Sequence, residues 1–540
     1  MDRHGPGAMS AELDPLGRCR ERLDEAAARF RAGEFRASAD TALVAGELAK
    51  QAGRTDLLVE AALMEVGVPD PATAPVVERL CRDALDLVDP GATSVRAQLH
   101  GQLAVALHHR GRFEEADAEV DHALALATEA ADPLAMAAAL HARQLSMAGL
   151  GHGPELLELG DRMLDAAAAS GSTDIELQAR NWRIDALFRM ADTAGAAHEI
   201  DSLDVLATRT GNAHMRWNAR LTQAGLAHAV GRFADAERLA REARGILPPD
   251  QRPQTEPLFI AQLMLIATDR GVEPPEIGVA RGSAIGAHPI AGVMMGRYDL
   301  ETGDVERARA AYEAARHRLP VVAMDRRGIP ALTAGMELAL AFRDSAVVED
   351  LYRRILPFDG TMIASAVGAV GPTAYFLASA EVFLGDHVGA VRHASDAIDM
   401  CARGDLGPWL TRSRLCLAGA LTARGGVGDH EEALRVATLA AVSARQLGMG
   451  PLLARSLALA DRLGTPRRLS RREREIAGLV AGGASNRDMA RILGLSERTI
   501  ETHVQNVLTK LGFHSRAQIA AWAVGEGLLT DRNIGDSGST

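Results

Sequence analysis

From about residue 11 to residue 463 the hydrophobic and polar positions read as helix after helix, with no convincing alternation of the kind a half-buried strand requires. The clearest order in this stretch is a repeated turn signature: Gly, any residue, a bulky residue, two of any kind, then Ala. It occurs at Gly111-Arg112-Phe113 with Ala116 and at Gly231-Arg232-Phe233 with Ala236. Looser copies begin at Gly303, Gly385 and Gly428, and Gly33-Glu34-Phe35 is an early copy with Ser38 in place of Ala. Each position has a physical task. Gly closes one helix in the left-handed conformation, the bulky residue fills the gap between antiparallel neighbours, and Ala lets the two helices approach. Gly111, Gly151, Ala191, Gly231 and Gly271 also fall at forty-residue intervals, one helical hairpin per unit, which is the period of an α-solenoid.

After Gly464 the pattern changes. Pro466 disfavours helix at Thr465, so 464–469 reads as a linker between the 11–463 repeat region and a small head at 470–530. The ends, 1–10 and 531–540, are polar and are expected to be disordered tails. Within the head, Ser470 with Glu473 forms a capping box opening a helix to about Ala481; Ser485 opens a second, ended by Gly494. Ser496 caps a third helix over Glu497–Leu511, and Ser515 opens a fourth reaching about Glu526. On the third helix Ile500, Val504, Val507, Leu508 and Leu511 make a narrow apolar stripe. Its other face carries Arg498, Glu501, Thr502, Gln505 and Thr509, side chains that can bond base edges or phosphates. Only Gly494-Leu495-Ser496 separates the second helix from the third. That is the tight turn of a helix-turn-helix, which lays its second helix across a major groove. The expected fold class is therefore all-α, an α-solenoid of helical hairpins followed by a four-helix head.

Charge sharpens this division. The net charge is −12, which alone argues against a nucleic-acid partner. Residues 466–529, however, hold ten Arg plus Lys against six Asp plus Glu, a balance of +4 that leaves −16 for the rest. A small basic end on a large acidic body suits a DNA head joined to a region with other partners. The remaining chemistry is sparse. Cys19, Cys81, Cys401 and Cys416 are scattered with no C-x-x-C pair, and the 17 His residues include no H-E-x-x-H, so no metal site and no cofactor is expected. The only lysines, Lys50 and Lys510, follow Ala49 and Thr509, so neither ends a G-x-x-x-x-G-K phosphate loop. An acceptor-Asp receiver would need an α/β alternation that is missing. An enzyme is not expected. Without a long apolar run or an amino-terminal h-region, no membrane contact is expected either, and the expected location is cytoplasmic.

Two resemblances add to this. The helical region resembles tetratricopeptide-type repeats in a degenerate, slightly long form. The stretch Leu469 to Leu529 closely resembles the LuxR-type (FixJ-type) DNA-binding domain, matching L-S-x-R-E, S-N-x-x-I-A and L-S-x-x-T-V-x-x-H-V-x-N-I-x-x-K-L almost throughout. That resemblance implies base readout by Glu501, Thr502 and Gln505, and DNA-backbone contact by Asn486, Arg498, Thr499, His503, Lys510, Ser515 and Arg516. It also implies a dimer-forming fourth helix around Ile519, Ala520, Ala523 and Val524. One departure stands out: Glu501 occupies a position where many relatives have Lys, so it either reads a cytosine amino group or is a solvated helix residue. His503 is open between packing on the first helix and touching phosphate.

The expectation is thus a transcription regulator, an activator by resemblance, that binds double-stranded DNA as a homodimer and engages RNA polymerase. Its repeat region would take a protein, peptide or small-molecule signal. The alternatives are a repeat-based interaction scaffold, which would not need the polar outward face of the third head helix, or a large ATP-binding regulator that has lost its ATPase.

Overall fold

The computed structural model describes residues 15–64, 71–147, 153–249, 251–283, 289–322, 328–365, 368–464, 469–511, 513 and 515–528. Both expected tails and most of the expected linker lie outside the described residues. Contacts divide the chain into two units, one of residues up to Ala380 plus Asp396–Leu410, the other of Glu381–Ser395 plus everything from Thr411 onward.

The first unit opens with α1 (Pro15–Arg31), α2 (Phe35–Gln51), α3 (Thr55–Ala62) and α4 (Ala74–Leu87). Then come the most regular pairs: α5 (Thr93–His109) with α6 (Phe113–Ala130), α7 (Pro133–Met147) with α8 (Gly153–Ser170), α9 (Thr173–Arg189) with α10 (Thr193–Arg209), and α11 (Ala213–Ala229) with α12 (Phe233–Ile246). Less regular helices follow: α13 (Arg252–Arg270), α14 (Pro275–Arg281), α15 (Pro289–Thr302), α16 (Val305–Ala315), α17 (Ile329–Phe342), α18 (Ser345–Ile355), α19 (Thr373–Leu384) and α20 (His387–Arg403), of which the stretch Glu381–Ser395 belongs to the second unit. The forty-residue turns behave as the pattern requires. Gly111, Gly231 and Gly271 have φ of 74°, 86° and 73°, and Ala191 adopts 58° even though its Cβ disfavours that region. Gly151 lies outside the described residues.

Within a pair the two helices are unlike. Second helices such as α6 and α12 bury only a few positions: Ala116, Val120, Ala123 and Ala127 on α6, and Phe233, Ala236, Ala240 and Ala243 on α12. First helices such as α9 and α11 are buried nearly all round, with Trp182 and Phe188 on α9 and Trp217 and Leu221 on α11. Such a helix needs cover on every side, and the charges it buries are paired, Arg189 with Asp185 at 2.7 Å. Part of the cover is a feature the pattern did not predict, an antiparallel hairpin of β1 (Met362–Ser365) and β2 (Gly368–Pro372). All nine of its residues are buried, β1 against α9 and α17, and β2 against α9 and α11. Backbone meets backbone there: a Cβ on Gly368, whose φ is 107°, would lie 3.0 Å from the Gly225 Cα.

A simple solenoid repeat touches only its neighbours. This unit also touches itself far along the chain. Phe35 sets its ring edge-on to His214 at 5.3 Å, the Gln251 amide donates to the Ala32 carbonyl, and the Thr193 hydroxyl donates to the Gly404 carbonyl at 2.9 Å. The all-α class holds, with one small hairpin inserted. Among the described residues no helix is long and apolar enough to cross a membrane.

The second unit contains α21 (Gly407–Arg424) from Thr411 onward, α22 (Asp429–Leu447), α23 (Gly450–Gly464) and four short helices: α24 (Arg471–Ala481), α25 (Asn486–Leu493), α26 (Glu497–Leu511) and α27 (Arg516–Gly525). Those four surround their own core of Ile476, Val480, Met489, Ile500, Val507 and Ile519, with Val504, Leu508, Leu511 and Trp522 half-buried at its margin. Capping boxes open three of them, Ser470 with Glu473, Ser485 with Asp488, and Ser515 with Gln518, each satisfying helix N–H groups that would otherwise lack partners.

Candidate nucleic-acid interface

The turn between α25 and α26 is set locally. Gly494 at φ 67° ends α25, the Leu495 N–H returns to the Ala490 carbonyl at 3.0 Å, and the Ser496 hydroxyl accepts from the Thr499 N–H at 3.1 Å to start α26. Ile500 and Val507 then anchor one side of α26, both fully buried. Arg498, Glu501, Thr502 and Gln505 lie on the opposite side, all exposed, at spacings that share one helical face. The Thr502 hydroxyl gives its proton to the Arg498 carbonyl at 3.0 Å, so its oxygen remains an acceptor. The Thr509 side chain lies outside the described residues.

The other sequence-predicted positions are tied inward. The Arg516 guanidinium donates to Asn486 Oδ1 at 2.8 Å and to the Ala484 carbonyl, stapling the start of α27 to the start of α25. Thr499 Oγ1 lies 2.7 Å from Ser496 Oγ, and the Ser515 hydroxyl accepts from the Gln518 N–H at 3.3 Å; both serve caps. Lys510 Nζ donates to Glu473 Oε2 at 2.6 Å. Glu473 is buried, which opposes its ionisation. Lys510, the Ser470 N–H and the Ser470 hydroxyl outweigh that and hold its carboxyl below the usual carboxylate value. His503 is half-buried; its Nδ1 is buried without a hydrogen-bond partner, so a phosphate oxygen would have to reach Nε2.

On α27, Ile519 and Ala523 are fully buried in the head's own core. Its outward face is made instead by Ala517, Ala521 and the half-exposed Val524, with Ala520 intermediate. Sequence reasoning missed two groups. Arg472 donates to the Leu493 carbonyl at 2.6 Å and joins α24 to the end of α25, and exposed Arg487 adds a cation at the start of α25. Arg487 was visible as a basic residue beside Asn486 in the second helix's first turn. Nothing in the linear pattern pointed to the Arg472 bond.

Residues 467–523 match the family model described as "Bacterial regulatory proteins, luxR family". The carboxy-terminal head is a luxR-family DNA-binding domain. It is 45% identical over 56 residues to the uncharacterized transcriptional regulatory protein YhcZ of Bacillus subtilis (strain 168), an alignment covering 10% of this chain and 26% of that protein. Against the nitrate/nitrite response regulator protein NarL of Escherichia coli (strain K12) identity is 41% over 75 residues, 13% of this chain and 34% of NarL. The uncharacterized response regulatory protein YgeK of the same strain is 36% identical over 72 residues, 13% of this chain and 49% of YgeK. The chain thus spans from about a quarter to about half the length of these curated relatives.

Proposed function

We propose that this chain is a sequence-specific transcription regulator, acting as an activator, in which two heads hold a two-fold symmetric DNA site. Each lays α26 in a major groove, with Thr502 and Gln505 reading base edges and Glu501 accepting from a cytosine amino group. Arg498, with Asn486, Thr499, Ser515 and Arg516 along the helix starts and His503 midway along α26, follows the phosphates. Ala520, Val524 and their exposed neighbours on α27 form the pairing surface, while Ile519 and Ala523 hold that helix to the core. Lys510 positions α26 against α24 through Glu473. The repeat region takes the signal, a protein, peptide or small molecule, and RNA polymerase is the downstream partner.

The observation that carries this reading is the sidedness of α26. Its apolar stripe is spent on the core, while Arg498, Glu501, Thr502 and Gln505 all face solvent in a domain whose relatives are named as transcriptional regulators. An interaction scaffold has no use for that face. Recovery of genomic fragments bound by the full chain would define the site, and Gln505→Ala tests the readout. The variant should weaken that site by about 1–3 kcal/mol and leave scrambled DNA nearly untouched. Equal losses on both would remove Gln505 from base reading, and fragments sharing no motif would sink the regulator reading itself.

A further inference from the structure

The pair α5 and α6 brings together three metal-ligating side chains that no sequence motif joins. Glu119 and His122 are three residues apart on α6, so they share a face, and His100 reaches them from α5. His100 Nδ1 lies 2.5 Å from Glu119 Oε2, His122 Nδ1 lies 4.0 Å from the same oxygen, and one ligand atom of each residue falls within 4.8 Å of the others. The two imidazoles are tilted against one another at 5.6 Å between centroids. Among the described residues this is the one such group of three His, Cys, Asp or Glu side chains.

The repeat supplies its own control. Eighty residues on, two units along, α9 and α10 present the same helix pair with Glu199 where α6 has Glu119. There Arg180 holds the carboxylate at 2.9 Å, Arg183 approaches at 3.4 Å, and Ser202 fills the last position. On α5 and α6 those positions are His100, Leu103 and His122. Both guanidinium partners of the carboxylate are gone and two imidazoles stand near it. A guanidinium can only donate to an anion, whereas a neutral imidazole offers a lone pair. The substitution converts an ion pair into a donor set of two nitrogens and one oxygen.

We propose that His100, Glu119 and His122 form a binding site for a divalent first-row transition metal ion, with Zn2+ as the representative. Two imidazoles and a carboxylate suit such ions, and three protein ligands leave a coordination position open. Bonds of about 2.0–2.1 Å to a tetrahedral ion separate ligand atoms by about 3.3 Å. The observed 2.5 and 4.0 Å bracket that value, so rotation of the side chains suffices without moving either helix. Access is provided by His122, whose side chain is 68% exposed, while His100 and Glu119 are held at 14% and 20%. The site stands on the helix pair alone and does not depend on the DNA-binding reading.

Its test uses the full chain, freed of metal by a chelator and then dialysed. Zn2+ is titrated in competition with a chromogenic chelator, and Co2+ is followed by its visible absorption. The expected result is one equivalent per chain and the intense Co2+ bands of a four-coordinate site. His100→Gln and His122→Gln should each weaken binding by at least about tenfold, since removing a ligand should cost no less than removing a ligand's own support. His122 is exposed, so its variant keeps the fold, checked by an unchanged melting midpoint. Failure of the wild-type chain to bind an equivalent, or affinity unchanged in the folded His122→Gln variant, would overturn the assignment.

Discussion

At the scale of single residues, the head is held by a link between two charged positions far apart in the sequence. Glu473 belongs to the first helix's capping box and Lys510 to the last turn of α26, 37 residues later, yet they share a 2.6 Å ion pair. Removing the cation leaves a buried carboxylate without its partner, which is costlier than losing a surface pair; with Lys510 still 31% exposed, about 1–3 kcal/mol is the expected scale. Lys510→Met should therefore lower hydrogen-exchange protection across 469–528, and adding Glu473→Gln should restore part of it. If the double variant is no better protected than the single one, the pair is not what holds α26. The same variant separates positioning from phosphate contact: a slope of log affinity against log salt that drops by about one unit would place Lys510 on DNA instead. The two halves of this link differ in legibility. The capping box and the Ile500–Leu511 stripe are local patterns, readable from neighbours a few positions apart. The pairing of Lys510 with Glu473, like that of Arg516 with Asn486, needs the helices already packed.

At the scale of elements, helix ends were the most legible feature because glycine carries a conformational signal of its own. Gly33, Gly111, Gly231, Gly303, Gly385 and Gly428, singled out from the turn signature, all have positive φ. The β-hairpin was not legible, and the reason is physical. Strand alternation marks an element with one wet face, and every residue of Met362–Ser365 and Gly368–Pro372 is buried on both. Small residues let it lie flat against α11, which yields a discriminating prediction. Gly360 at φ 79° has open space around its missing Cβ, whereas Gly368 faces the Gly225 backbone. Gly360→Ala should cost about 1 kcal/mol, from backbone strain alone, and Gly368→Ala about 2–4 kcal/mol, from strain plus a backbone that cannot yield. Thermal or denaturant unfolding of the full chain would read the difference, and equal costs would mean that the hairpin does not rest on α11.

At the scale of the whole molecule, the forty-residue period and the split between an acidic body and a basic head follow from sequence order alone, whereas contacts between distant units do not. The start of α2 meets the start of α11 although Phe35 and His214 are 179 positions apart, and no periodicity predicts which repeats will meet. That meeting point carries a titratable group. His214 sits between the Phe35 and Trp217 rings, and burial pushes its imidazole down to about 4, although part of the residue still reaches solvent. Because the folded value lies below the unfolded value of about 6.5, the neutral ring's contribution is complete above that pH. It is lost as pH falls toward 4, since the unfolded chain takes up the proton first. At pH 5 the loss should reach about 1–2 kcal/mol, the lower figure allowing for the partial exposure. His214→Phe keeps a ring against Phe35 and has nothing to protonate, so between pH 7 and pH 5 its melting midpoint should fall less steeply than that of the wild type. The carboxylates common to both chains cancel in that comparison. Parallel curves would show that His214 does not stay neutral in the fold, and that the contact between α2 and α11 is open to water.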